Sequence, residues 1–378
     1  MSKTTSSNCL RKSICLTMIV KDEAHVIKRC LDSVKPFIDS WTIVDTGSTD
    51  GTQELVKELL KDVPGELYER PWRDFGHNRS EAIELASPTA DYMLFLDADE
   101  VFQAPSEFEW PELTGDAYLL QMGDGDNRYL REILASTSLT WRFVGVLHEY
   151  LTADRPYRSE RLEGPYVEGH FDGGRSQGRD LKAKYARDAQ VLEDALKGDP
   201  ENTRYVFYLA QSYRDSGEAA KALETYERRA AMGGWDEEVW YSLYQMAKLS
   251  EQLKWPEQAV TERFLKAFEF RPRRAEPLVH LASYYRQREK HALGFIYAQA
   301  AVQIKQPDDM LFLDRSCYTW RPLDELAVAT YWIGRHVESK LACEQLLSGE
   351  DLPASERNRV QENLKFALTS LAPPGPQS

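Results

Sequence analysis

Short apolar segments alternate with amphipathic segments at a regular interval in the first part of the chain. The apolar segments SICLTMIV, WTIVD, ELYER and YMLFLD end at Val20, Asp45, Arg70 and Asp97. Each is followed by a turn and then by a segment with apolar residues at helical spacing. An interval of about 25 residues is the length that one strand, one helix and two loops require. The pattern predicts an α/β domain with a parallel, doubly wound sheet.

Acidic residues follow the fourth apolar segment directly, in the sequence YMLFLDADE. Asp97 and Asp99 lie two positions apart, so both carboxylates project to the same side of an extended chain. A divalent cation with oxygen ligands would relieve their repulsion, although this motif alone is more often explained by acids in a solvated turn. Ligands of parallel sheets bind at the carboxyl ends of the strands. The segments expected to meet there are Lys21 to Glu23, Asp45 to Gly51, Trp72 to Arg79 and Asp97 to Asp99.

The ligand expected at this edge of the sheet is a nucleoside diphosphate. Arg79 lies where a helix is predicted to begin, and a helix N-terminus with a guanidinium group is a good phosphate site. Two carboxylates that hold a cation would complete the neutralisation of the diphosphate. The segment GSTDGT lacks the lysine of a P-loop, and no GxGxxG follows the first apolar segment. A P-loop enzyme and a dinucleotide-dependent dehydrogenase are therefore disfavoured.

Four motifs in this region resemble those of family 2 glycosyltransferases with a GT-A fold. They are ICLTMIVKDEAHVIKRCLDSV, IVDTGSTDGTQELV, GHNRSEAIELA and YMLFLDADE, in the order and spacing of that family. The resemblance covers residues 13 to 178 and implies a Rossmann-like, mostly parallel sheet. It also implies an inverting transferase that uses a nucleotide sugar, usually a UDP-hexose, with Mn²⁺ or Mg²⁺. Thr46 departs from the family motif DDGSTDGT, whose second position is acidic.

The resemblance also implies which residues contact the sugar donor. Asp45 should face the nucleobase, and Arg79 should contact the nucleotide. Asp97 and Asp99 should bind the ribose and the metal. The residues expected to bind the nucleotide sugar are Val20, Lys21, Glu23, Asp45, Arg79, Asp97, Ala98 and Asp99.

The segment GVLHEYL, residues 145–151, contains the expected catalytic base. Displacement at an anomeric carbon needs a base near the acceptor. In the family that the chain resembles, this base is often the last acid of a GxxED-like element beyond the DxD motif, and Glu149 has that position. His148 is predicted to complete the metal site with Asp97 and Asp99, because imidazole can complete an octahedral Mn²⁺ site. Only one of the two neighbours can face inward unless the chain bends there.

The next segment, EGHFDGG, leaves alternatives open for both roles. Glu168 or Asp172 could be the base, since the glycines of this segment suit a loop that closes over a nucleotide. His170 could complete the metal site in place of His148. The imidazole of His148 could instead be satisfied by a backbone partner.

The C-terminal half has the periodicity of a helical repeat. Its segments LAQSYRDSG, MAKLSEQLK, LASYYRQRE and LAVATYWIG place Ala210, Ala247, Ala282 and Ala327 at one equivalent position. The intervals of 37, 35 and 45 residues resemble tetratricopeptide repeats, with an insertion in the last interval. Such helix pairs stack around a concave groove. The groove is predicted either to bind the acceptor or to serve as a scaffold or dimer interface.

Composition limits the partners and the compartment. The net charge of −14 over 378 residues argues against nucleic acid or an anionic membrane as the main partner. The five cysteines form no CxxC pair, and no apolar run is long enough to span a bilayer. We therefore expect a cytoplasmic protein without a transmembrane segment. The predicted organisation is a disordered tail (1–12), a GT-A domain (13–178), a tetratricopeptide-like repeat domain (179–371) and a second disordered tail (372–378).

The whole arrangement resembles bacterial peptide S-glycosyltransferases and lipopolysaccharide-core glycosyltransferases. The expected reaction is sugar transfer from a nucleotide sugar to a peptide, protein or saccharide acceptor. The helical repeats would help acceptor binding or form a homodimer. The alternative is a repeat-scaffold interaction protein whose transferase domain binds a nucleotide sugar but is inactive.

Overall fold

The computed structural model describes residues 11–124, 127–170, 172–174 and 180–372. The chain divides into two compact units, residues 1–216 and 217–378. The change from strands to helices comes near residue 180, close to the predicted boundary, whereas the compact units divide after Ser216. The predicted domain bounds therefore stay a prediction. Apart from residues 11, 12 and 372, the two predicted tails lie outside the described residues.

The first unit begins with the predicted alternation of strands and helices. Its first elements are β1 (Ile14–Val20), α1 (Ile27–Val34), β2 (Ser40–Asp45), α2 (Thr52–Leu59), β3 (Gly65–Glu69), α3 (Phe75–Ala86) and β4 (Tyr92–Phe95). Six further strands and two helices follow: β5 (Glu100–Gln103), β6 (Ala117–Asp124), β7 (Asn127–Ser136), β8 (Trp141–Val144), β9 (Tyr150–Ala153), β10 (Ser159–Gly169), α4 (Leu181–Gly198) and α5 (Thr203–Ser216).

Eight strands form one sheet in the order β3-β2-β1-β4-β7-β6-β10-β5, while β8 and β9 pair separately. Strands β1 to β4 are parallel to one another, and β7 joins β4 in the antiparallel sense. The prediction of an α/β domain with a mostly parallel sheet is confirmed. Because β2, β1 and β4 are adjacent and parallel, the residues that follow them lie at one edge of the sheet.

Apolar side chains cover both faces of the central strands. Leu16 of β1 belongs to a buried cluster with Ile27 and Leu31 of α1. On the opposite face, Cys15 lies in a cluster with Ile83 of α3. Strands that are buried on both faces require helices on both sides of the sheet, which fits a doubly wound domain.

The second unit consists of helices in the residues that the structure describes. They are α6 (Ala219–Ala231), α7 (Asp236–Gln252), α8 (Glu257–Phe270), α9 (Glu276–Arg286), α10 (His291–Val302), α11 (Ser316–Thr319), α12 (Arg321–Trp332), α13 (His336–Ser348) and α14 (Ala354–Leu371). The four alanines predicted to be equivalent lie in α5, α7, α9 and α12, and all are buried. Helices α7, α9 and α12 each pack against the helix that follows them, which confirms the interpretation as tetratricopeptide-like helical hairpins.

A buried ion pair holds the insertion between α10 and α12. The Nη2 atom of Arg274 lies 2.7 Å from Glu276 Oε1, and both side chains are almost fully buried. The guanidinium also lies 3.7 Å from the centre of the Trp240 ring. It donates hydrogen bonds to the carbonyl oxygens of Leu311 and Phe312, which belong to the insertion. A single arginine therefore connects the insertion to two helices of the repeat.

Replacement of Arg274 by methionine is expected to lower the free energy of unfolding of the helical unit by about 3–5 kcal/mol, because Glu276 would keep a buried charge without its main partner. The matched control is Arg273→Met. Arg273 is 60% exposed and lies 3.4 Å from Asp309, so its loss should change stability by less than about 1 kcal/mol. Calorimetric unfolding of both variants makes the comparison. Equal stability of the two variants would contradict the central role of Arg274.

Candidate functional site

Asp45 ends β2 with one satisfied carboxylate oxygen and one unsatisfied oxygen. Its Oδ1 accepts hydrogen bonds from the N–H groups of Gly47 and Ser48, both at 2.9 Å, and from Gln53 Nε2 at 3.0 Å. Its Oδ2 is buried without a hydrogen-bond partner in the described part of the chain. Leaving a buried acceptor unpaired is costly. The geometry therefore suits a ligand that donates an N–H group, such as a nucleobase.

Arg79 of α3 connects two acids that are far apart in the sequence. Its guanidinium forms an ion pair with Asp97, and its Nε lies 2.7 Å from Glu149 Oε1. The central carbon of the guanidinium lies 5.4 Å from the centre of the Phe143 ring. Burial alone would lower the pKa of Arg79, but the two carboxylates raise it above its ordinary value. Arg79 thus brings together the acid after β4 and the acid of GVLHEYL.

Asp97 has a second cationic partner that sequence reasoning missed. Arg131 of β7 lies 3.8 Å from Asp97 Oδ2 and 2.7 Å from Glu100 Oε2. Burial alone would raise the pKa of Asp97, but Arg79 and Arg131 together hold it below its ordinary value. The backbone N–H of Asp97 also donates to Glu100 at 2.9 Å. Glu100, the last acid of LDADE, was visible in the sequence, whereas no motif marks Arg131.

Asp99 and Glu23 face the same short glycine segment. Gly173 N–H donates to Asp99 Oδ2 at 3.1 Å, and Gly174 N–H donates to Glu23 Oε2 at 2.9 Å. Burial and the neighbouring carboxylates raise the pKa of Asp99, and burial raises that of Glu23 to about 7. A Cβ atom on Gly173 would lie 3.1 Å from Asp99 Oδ2 and 3.3 Å from Glu23 Oε2. Two carboxylates therefore line one small space, and neither forms an ion pair with Lys, Arg or His among the described residues.

This pair of carboxylates fits a divalent cation better than the predicted set of ligands does. Mg²⁺ is commonly held by one or two carboxylates together with substrate phosphates and water. Asp99 and Glu23 supply such a pair, while Asp97 is already paired with two arginines. Among the described residues, no group of three or more His, Cys, Asp or Glu side chains is placed to hold a metal ion. The predicted set of Asp97, Asp99 and His148 is thus not assembled in this structure.

The chain bends at His148, and the side chains of His148 and Glu149 contact different partners. His148 has a φ of 52°, in the left-handed region, and Gly145 before it has a φ of 127°. The imidazole stacks on Tyr208 of α5 with ring centres 3.9 Å apart, while the Glu149 carboxylate meets Arg79. Of the two predicted side chains, it is Glu149 that lies among the acids and arginines of the site. The metal-ligand role of His148 stays a prediction that this arrangement does not support.

The alternative residues of EGHFDGG have partners of their own. Asp172 forms two hydrogen bonds with Arg29, at 2.6 and 3.1 Å, and these bonds lower the pKa of Asp172. Glu168 accepts a hydrogen bond from Gln103 at 3.0 Å and lies 3.8 Å from His170. Asp172 is therefore placed to fix the glycine segment over Asp99 and Glu23. The remaining predicted nucleotide contacts lie at the same edge, where Val20 and Ala98 are buried and Lys21 is exposed.

Within the ranges described, every helix is too short or too polar to cross a membrane. Residues 15–106 match the model of glycosyl transferase family 2. The glycosyltransferase SunS from a prophage of Bacillus subtilis is 23% identical over 51% of this chain and 47% of its own length. A TPR repeat-containing protein of Synechococcus elongatus is 42% identical over 23% of this chain and 20% of its own length.

The chain thus spans about half the length of SunS and a fifth of the Synechococcus protein. Among solved structures, MamA matches 50% of this chain and 90% of its own, with 17% identity and a TM-score of 0.33. The segment that matches the family model carries β1 to β5 and the acids at their edge. The chain therefore contains a glycosyl transferase family 2 domain in its N-terminal part, which tetratricopeptide-like helical hairpins follow.

Proposed function

We propose that the protein is an inverting, metal-dependent glycosyltransferase that moves a sugar from a UDP-sugar to a peptide, protein or saccharide acceptor. The contact of Arg79 with both Asp97 and Glu149 carries this proposal, because it brings the candidate base to the residues expected to bind the donor. The family match of residues 15–106 and the glycosyltransferase SunS support the same class of reaction.

The donor lies along the edge of the sheet in this proposal. The unpartnered Oδ2 of Asp45 accepts the ring N–H of the nucleobase. Asp99 and Glu23 are the residues that would hold a Mn²⁺ or Mg²⁺ ion. A bound divalent cation supplies positive charge that stabilises the departing diphosphate. Thr46 is buried and donates both its backbone N–H and its hydroxyl to the carbonyl oxygen of Val20, so its side chain supports the loop and adds no second acid.

Glu149 acts at the acceptor side of the donor. Its carboxylate accepts the proton of the attacking group, which displaces the nucleoside diphosphate with inversion at the anomeric carbon. The ion pair with Arg79 fixes the position of this carboxylate, and only 12% of the Glu149 side chain is exposed. Exclusion of water from the base favours transfer to the acceptor over hydrolysis of the donor.

The acceptor proposed is a peptide or protein, bound along the helical hairpins. The net charge of −14 and the absence of a membrane-spanning helix in the described ranges are compatible with such a partner. Among the described residues, Cys15, Cys30, Cys317 and Cys343 are buried free thiols, which supports a reducing, cytoplasmic location. A homodimer through the repeats stays a prediction.

The proposal is tested by a thermal-shift screen of nucleotide sugars with and without Mn²⁺, since a ligand of the native state raises the melting temperature. We expect stabilisation by UDP-sugars that depends on Mn²⁺, together with slow release of UDP. Stabilisation without any UDP release, with or without peptides, would favour the alternative of an inactive, nucleotide-binding scaffold protein.

Replacement of Asp99 by asparagine should weaken UDP binding in Mn²⁺ by about tenfold or more, because charged oxygen ligands set the affinity of such sites. The shape of the side chain is kept, so binding of UDP without metal should hardly change. The control is Asp194→Asn on α4, where the carboxylate is 56% exposed. Calorimetric titration with UDP measures both variants. Wild-type affinity of Asp99→Asn in Mn²⁺ would remove the central claim of metal-dependent donor binding.

A further inference from the structure

Three residues of helix α5 contact the segment that carries Glu149. Tyr205 accepts a hydrogen bond through its hydroxyl from the backbone N–H of Val146 at 3.3 Å. The ring of Tyr208 stacks on His148 with an angle of 9° between the ring planes. Arg204 donates to the carbonyl oxygen of His148. Helix α5, the first helix with the repeat pattern, therefore supports the segment GVLHEYL through these contacts.

Arg204 makes the most extensive of these contacts. Its Nε and Nη2 atoms donate to the His148 carbonyl oxygen at 3.0 and 2.8 Å. The same guanidinium lies 5.0 Å from the ring centres of both Tyr150 and Tyr208. It thus contacts the residues on both sides of Glu149 in the sequence. A planar cation with several N–H donors can make these contacts together, and lysine cannot.

The backbone at His148 needs such support. A non-glycine residue with positive φ is uncommon and persists where its surroundings fix it. Arg204 holds the carbonyl oxygen of His148, and Tyr208 holds the ring. The carbonyl group that Arg204 contacts belongs to the peptide bond between His148 and Glu149. Its rotation would therefore move the Glu149 carboxylate relative to Arg79.

We propose that Arg204 is a positioning residue for Glu149, which it holds in reach of the acceptor by fixing the bend at His148. The inference rests on the proposed function in one respect only, the role of Glu149 as the base. It implies that α5 is part of the catalytic unit, in agreement with the grouping of residues 1–216 as one compact unit. No sequence motif of the N-terminal domain contains Arg204.

The first test uses hydrogen exchange in the full-length chain, which does not depend on activity. Arg204→Ala should raise the exchange rate of the amides from Val146 to Leu151, because the bend loses its main donor. The matched control is Arg187→Ala, an exposed arginine on the neighbouring helix α4. Unchanged exchange in Arg204→Ala would overturn the proposal, whatever reaction the protein catalyses.

The second test is a double-mutant cycle with UDP release from a UDP-sugar in Mn²⁺ as the readout. Arg204→Ala should lower kcat between about tenfold and a hundredfold, the range that small misplacement of a catalytic group produces, with UDP affinity unchanged. The kcat of Arg204→Lys should lie between those of the wild type and the alanine variant. The lysine variant provides the comparison if the alanine variant folds poorly. In the Glu149→Gln background, Arg204→Ala should add less than about a twofold loss, because the two residues act as a unit.

Wild-type kcat in both Arg204 variants would overturn the proposal. So would an undiminished effect in the Glu149→Gln background, because Arg204 would then act independently of the base. Absence of UDP release from the wild-type chain would count against the proposed function, while the hydrogen-exchange comparison would still decide whether Arg204 fixes the bend. The two failures are therefore distinguishable.

Discussion

Turnover should fall by about 10²–10⁴-fold when Glu149 is replaced by glutamine, the loss expected when a general base is removed. Glutamine keeps the size and polarity of the side chain but cannot accept the proton. UDP affinity in Mn²⁺ should hardly change, because the base acts on the acceptor. Arg79 keeps Asp97 as a partner in this variant, so the exchange leaves no buried cation without a counter-charge. Initial rates at saturating donor and calorimetric titration with UDP provide the two measurements.

Three further variants decide between this base and the alternatives. Glu168→Gln and Asp172→Asn are the matched carboxylate exchanges in the segment EGHFDGG. If either lost all activity while Glu149→Gln kept the wild-type rate, the base would lie in that segment. His148→Ala tests the prediction of a metal ligand, for which UDP affinity in Mn²⁺ should fall. Unchanged affinity with reduced turnover would instead fit the stack of His148 on Tyr208.

The edge of the sheet could be predicted from the sequence because its signals are local. A buried parallel strand is a short apolar run, and the residues that follow it reach the ligand-binding edge whatever the details of packing. Asp45 and Asp99 therefore lie where the alternation of strands and helices placed them. The orphaned Oδ2 of Asp45 could not be predicted, because it depends on which oxygen the N–H groups of Gly47 and Ser48 occupy.

The partners of the acids depend on contacts that are distant in the sequence. Arg131 reaches Asp97 because β7 pairs with β4 in the antiparallel sense, and no spacing in the sequence predicts that pairing. The pairing of Asp97 with two arginines weakens its predicted role as a metal ligand. The opposite holds for Glu23, which lines one small space with Asp99 and forms no ion pair among the described residues.

The bend at His148 marks the limit of reasoning from strand periodicity. Alternation allows only one of His148 and Glu149 to face the site, and it does not say which one. A positive φ at histidine is decided by the contacts of its carbonyl and ring, which come from α5. The repeat pattern located α5 correctly through Ala210, but it gave no sign that this helix supports the N-terminal domain.

Removal of the helices after Ser216 is expected to abolish sugar transfer to peptides, while UDP binding in Mn²⁺ and slow donor hydrolysis persist. The shortened chain keeps α4 and α5, and with them the contacts of Arg204 and Tyr208 on GVLHEYL. The removed unit has buried clusters of its own, such as Phe264 with Leu281 and Tyr284. Circular dichroism and thermal unfolding would first establish that the shortened chain is folded.

A second truncation, after residue 180, separates acceptor binding from support of the base. This chain also lacks α5, so donor hydrolysis should fall along with transfer, whereas the chain that ends at Ser216 should lose transfer alone. Transfer is measured with a labelled UDP-sugar and a panel of cysteine- and serine-containing peptides. If the chain ending at Ser216 transferred sugar at the full rate, the later hairpins would not bind the acceptor. A role as scaffold or dimer interface would then be left for them, and α5 would be the part of the repeat that catalysis requires.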